Sequence, residues 1–115
     1  MVCMMINEGD KRLYIDALNE IAEHLGHSIK NPISISLLCL EFGITNDQKG
    51  KIYVAFNQIL QKYSFDDLEV KLFKDAVIDI VPEMDKYDNV IKALIKAFAE
   101  NLIFDLLPFA RTMDD

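Results

Sequence analysis

Thr45-Asn46-Asp47-Gln48-Lys49-Gly50-Lys51-Ile52-Tyr53-Val54-Ala55-Phe56-Asn57-Gln58-Ile59-Leu60-Gln61-Lys62-Tyr63 carries both a helix start signal and a helical apolar period. Thr45 and Gln48 stand three apart and form a capping box: the threonine oxygen accepts from the third helical amide, and the glutamine reaches back to the cap. Ile52, Phe56, Ile59, Leu60 and Tyr63 then fall on one face at three- and four-residue steps, which is the period of a helix and not of a strand. Gly50 costs this helix about 1 kcal/mol against alanine, but it lies near the first turn.

Working outward, the same pattern recurs. Leu13, Ala17, Ile21 and Leu25 repeat every four residues, with Tyr14 and Leu18 widening the stripe and Lys11, Glu20 and Glu23 on other faces. This predicts an amphipathic helix from about Asn7 to Gly26 that docks its stripe on a core. Asn31-Pro32 reads as a cap followed by proline at the first helical position, opening a nearly all-apolar helix that stops at Gly43. Ser64 is read as the cap of a fourth helix, with Asp66 and Asp67 at its positive end and Phe65, Leu68, Leu72, Phe73, Ala76 and Ile80 as its stripe. Pro82 ends it. Asp85 is the next candidate cap, before Tyr87, Val90, Ile91, Leu94, Ile95 and Phe98. Asn101 is read as a break, followed by a short apolar helix bent or terminated near Pro108. The expectation is all-α: one domain over 1–115, a compact bundle of about five to six short helices, with 1–6 and 112–115 frayed.

Composition narrows the function classes. The 115 residues hold 4 Gly and 3 Pro, too few for a loop-rich sandwich, and are 51% hydrophobic and 27% charged, as in folded domains. The net charge is −7. Residues 1–63 carry six basic and seven acidic side chains, whereas 64–115 carry six basic and twelve acidic. Such a second half repels phosphate backbones and anionic membrane surfaces, so no nucleic acid and no membrane is expected as partner; a basic protein is the electrostatically permitted one. Two cysteines, Cys3 and Cys39, make no disulfide framework, and Cys39 lies in an apolar run. Met1 to Ile6 is apolar but short and lacks a basic flank, so it does not read as a signal peptide, and no stretch approaches the roughly 20 apolar residues of a membrane span. A cytoplasmic location is expected.

Few patterns carry chemistry. His24 and His27 are the candidate metal ligands, with Glu20 and Glu23 nearby, but Gly26 ends the helix between the two imidazoles. The alternative is a surface or capping role. Asp67, Lys71, Asp75 and Asp79 step by four, which suits either a cation site or, with lysine interposed, a solvated salt-bridged face. Asp85 to Asn89 lacks the glycine and closing glutamate of a calcium loop. Leu38 to Phe56 has the turn of a DNA-binding helix-turn-helix at Gly43-Ile44, but Lys49 falls where that motif wants an apolar residue. No histidine stands near either cysteine in sequence, and no glycine-rich phosphate loop occurs. No catalytic residue and no cofactor are read from this sequence.

The segment Leu102 to Ala110 is apolar almost all round. It is either a plug in the bundle core or a surface for self-association or a partner, anchored by Leu102, Phe104, Leu107 and Phe109.

Leu37 to Thr45 with the helix after it, Ser64 to Leu68 with Leu72-Phe73, and Val90 to Leu94 through Asn101 to Leu107 resemble the YhaI-like family of small bacterial helical proteins of unknown function. Asn101 stands where that family has glycine, and Pro108 departs from its pattern and bears on the length of the last helix. The resemblance implies a helical bundle and no particular activity. The functional expectation is a protein acting through protein–protein contacts as a homodimer or adaptor. The alternatives are an acidic inhibitor or immunity-type protein that neutralises a basic toxin or nuclease, and a small metal-binding protein or enzyme.

Overall fold

In the computed structural model, which describes residues 8–28 and 31–113, the cap at Thr45 is complete. Its Oγ1 accepts from the Gln48 amide at 3.1 Å, and Gln48 Oε1 accepts from the Thr45 amide at 2.9 Å. The helix it opens is one of six: α1 (Glu8–His24), α2 (Ile35–Glu41), α3 (Asn46–Lys62), α4 (Val70–Ile80), α5 (Asp88–Asn101) and α6 (Leu107–Thr112). Short 3-10 turns cover Phe65–Asp67, Pro82–Lys86 and Phe104–Leu106. Among the described residues there is no strand, and the chain is all-α.

Several boundaries differ from the sequence reading. The start of α1 is Glu8; Asn7 lies outside the described residues, as do the ends read as frayed at 1–6 and at 114–115, whereas Thr112 belongs to α6. The cap of α2 is Ser34 and not Asn31: Ser34 Oγ accepts from the Leu37 amide at 3.1 Å. Asn31 instead closes a turn on Ser28, its amide donating to the Ser28 hydroxyl. Both residue types cap helices equally well, so the side chain with a free amide in reach decides. Ser64 caps no α-helix. Its hydroxyl donates to Asp67 Oδ2 at 3.0 Å in a 3-10 turn, and α4 starts only at Val70. Asp85 likewise lies in the turn that Pro82 opens, and Tyr87 precedes α5. Pro108 sits in the first turn of α6, where its missing N–H leaves nothing unpaired, so it starts that helix and does not end it.

The core is organised around α5. Val90, Ile91, Ala93, Leu94, Ile95, Ala97, Phe98 and Ala99 are all buried, and α5 packs against α2, α4 and α6. A helix apolar on nearly every side can only be satisfied by such enclosure. Phe56 of α3 meets Phe73 of α4 edge-on at 5.0 Å and Phe98 of α5 at 5.2 Å, and Phe109 of α6 stacks on Phe73 at 5.2 Å. Gly43, at φ +71°, ends α2 in the left-handed region and lets Ile44 turn back into the core.

Phe56→Ala should lower unfolding free energy in urea by about 3–5 kcal/mol, a large share of the roughly 5–15 kcal/mol typical of a domain. Phe65→Ala, on a ring that is 52% exposed, should cost less than about 1 kcal/mol. Equal losses at the two positions would contradict this packing.

Candidate functional site

The largest departure from expectation is α1. Its apolar stripe does not dock on the core; it faces solvent. Leu13, Ile21 and Leu25 are 67%, 60% and 70% exposed, Tyr14 and Leu18 are 45% and 46% exposed, and Ala17 is also exposed. The helix turns a different side inward: Ala22 is buried and Ile15, Asp16 and Asn19 are half-buried. Ile15 and Ala22, seven residues apart, form a second apolar column about a quarter-turn from the stripe, by the 100° advance per residue of an α-helix. That column was the legible signal. A helix with two apolar sides has two surfaces to satisfy, and only one of them is met within this chain.

Local chemistry holds α1 in this rotation. Gly26 takes φ +95°, the His27 amide donates to the Ala22 carbonyl at 2.8 Å, and the Gly26 amide donates to Glu23 O at 3.0 Å. These are the two bonds of a Schellman motif, which bends the chain sharply at the helix end. The bend drives the His27 ring into the joint between α1 and α2. Its Nδ1 accepts from the Ile33 amide at 3.1 Å, and Nε2 bonds Glu41 Oε1 at 3.0 Å. An amide can only donate, so Nδ1 is bare and Nε2 carries the proton that is donated to the carboxylate.

His27 is therefore a buried joint residue, not the surface histidine that was one of the two sequence readings. His24 is exposed at the end of α1. The two are not brought into a shared site, and among the described residues no group of three or more His, Cys, Asp or Glu side chains converges as metal ligands.

The C-terminal segment is split. Phe109 is buried and stacks on Phe73, with Ile103, Leu106 and Ala110 buried beside it. Phe109 is thus core and not an interaction anchor, because the turn at Phe104–Leu106 rotates α6 onto α4 and α5. Leu107 is half-buried, while Leu102 and Phe104 remain exposed at 43% and 65%.

The polar candidates are internally neutralised. Asp67 lies in a turn outside α4, so the four-step ladder is broken at its first member. Lys71 pairs with Asp75 at 2.9 Å, and Lys74 pairs with Asp88 at 2.7 Å, a hydrogen bond that raises the lysine above its ordinary range. These groups line a surface cleft of about 460 Å³ between α4 and α5 whose cations and carboxylates already face one another. Lys49 donates to Ser36 Oγ at 3.2 Å, which ties α3 back to α2. Burial pushes the Cys39 thiol up to about 11, so it stays protonated at neutral pH and is a packing group, not a nucleophile. Among the described residues no helix is long and apolar enough to cross a membrane.

No protein-family model, curated protein or solved structure matches the chain. The site is defined by its geometry alone.

Nitrogen-15 correlation spectra of the histidine rings should show His27 in the single tautomer with Nε2 protonated and Nδ1 bare. A ring averaging between tautomers, or protonated at Nδ1, would contradict the joint described here.

Proposed function

We propose that this chain acts in the cytoplasm through protein–protein contacts, as a homodimer, and that the outer face of α1 supplies the contact. One observation carries this reading: five large apolar side chains on a single helix, Leu13, Tyr14, Leu18, Ile21 and Leu25, are left in water by a chain that buries comparable residues elsewhere. Scattered exposed leucines are ordinary, but a contiguous stripe along one helix is the pattern of an interaction surface. Leu102 and Phe104 add a smaller exposed apolar pair at the end of α5.

A basic protein partner is the second reading. It is favoured by the exposed carboxylates Asp66, Asp67, Asp79, Glu83 and Asp85, which outnumber the cations near them, since Lys71 and Lys74 are already held by Asp75 and Asp88. Such a field would steer a cationic partner in a manner weakened by salt. The apolar stripe supports the first reading more directly, because salt does not weaken apolar burial.

Light scattering coupled to size exclusion should give twice the 13.2 kDa chain mass at tens of micromolar. The Ile21→Glu, Leu25→Glu double variant should run as a single chain with an unfolding midpoint within a few degrees of the parent, because both positions are exposed in the monomer. A parent protein that stays at 13.2 kDa over this range would contradict the homodimer.

A further inference from the structure

Tyr14, Leu18, Ile21 and Leu25 are separated by four, three and four residues. That alternation is the seam of a two-helix coil, in which successive apolar side chains insert between those of a facing helix. Resting on the homodimer reading above, we infer that α1 pairs with α1 of a second copy in parallel, with Tyr14, Leu18, Ile21 and Leu25 each opposite its own counterpart.

The exposed area is of the right size. At the exposures given, the five large side chains present roughly 600 Å² per chain, so a pair covers about 1,200 Å², the lower edge of what stable complexes bury. The seam is also self-complementary, as a contact across a two-fold axis must be.

Orientation follows from where the rest of the chain is attached. The inward column, Ile15 and Ala22, lies beside the seam and carries the remaining helices through α2. An antiparallel pair is related by a two-fold axis perpendicular to the helices. That axis returns each edge of the seam to its own counterpart and lays both helical bodies side by side above the same pair. The region 64–115 of each body carries six basic and twelve acidic residues, so the abutting surfaces would repel as well as collide. A parallel pair has its axis along the seam and sends the two bodies to opposite sides.

The same column limits the assembly to two chains. A third or fourth helix would need the flank that α2 already occupies. Lys11, three residues before Tyr14, extends the seam spacing by one polar position; a lysine there lowers stability and fixes register.

The test is a Tyr14→Cys chain in a Cys3→Ser background, with Cys39 left in the core, oxidised alone and in an equal mixture with a Leu25→Cys chain. Tyr14 and Leu25 are exposed, so neither change threatens folding. Parallel pairing predicts that Tyr14→Cys links to itself as a covalent dimer and forms little mixed disulfide with Leu25→Cys. In the antiparallel register, eleven residues would separate the two position-14 sulfurs by about 16 Å, beyond disulfide reach, and the mixed species would dominate.

A dominant mixed disulfide overturns the inference and leaves the homodimer standing. Absence of both products in a protein of dimeric mass, or a tetrameric mass, overturns the seam itself. A single-chain mass for the parent defeats the homodimer reading, a failure seen separately by light scattering.

Discussion

Four phenylalanine rings hold the helical body together. Phe56, Phe73, Phe98 and Phe109 come one each from α3, α4, α5 and α6, and each ring lies within 5.2 Å, centroid to centroid, of at least one other. The first three are wholly buried, and Phe109 nearly so. Edge-on and offset stacking adds to what their area alone contributes, and it fixes the relative rotation of the helices that carry them. The apolar C-terminal segment is consequently consumed by the core. Its exposed remainder, Leu102 and Phe104, is what the geometry of the turn leaves over.

Because that core closes around α5 without any large side chain from α1, the first helix is free of the main packing constraint. It docks through a small surface, Ala22 with half-buried Ile15, Asp16 and Asn19, and through one buried histidine bonded to the Ile33 amide and to Glu41. Small and polar residues on the inward side and large apolar residues on the outward side are the reverse of what a helix stabilised only by its own chain would carry. The Schellman bend at Gly26 and the His27 joint are what select this rotation. Function, on this account, was decided at a helix end.

The parts of this structure legible in the sequence are those settled by a few neighbouring residues. Thr45 and Gln48 cap α3 as their spacing demands, Gly26 and Gly43 end helices in the left-handed region, and Pro82 stops α4 at Ile80. Choices between chemically equivalent neighbours were not legible. Asn31 and Ser34 are equally good caps, and only the path of the chain from α1 gave Ser34 the open amide. Phe65 and Phe109 are both aromatic residues in apolar surroundings, yet a 3-10 turn before each sends the first to solvent and the second into the core. The direction of the α1 stripe belongs to the same kind. Periodicity states that a face exists, and tertiary packing states what it meets. The additional column at Ile15 and Ala22 was present in the sequence and is the residue-level sign that the stripe serves something other than this chain's own core.

The central claim is that one helix face is solvated in the single chain and covered in the working assembly. Methyl spectra with a soluble paramagnetic probe, recorded from about 1 to several hundred micromolar, test it residue by residue. The account predicts that Leu13, Leu18, Ile21 and Leu25 are bleached at the dilute end and become protected together as concentration rises, while Leu38, Ile52 and Ile91 stay protected throughout. Protection of the four α1 positions at every concentration in a protein of single-chain mass would contradict it, since α1 would then be docked on its own body by the face assigned here to a partner.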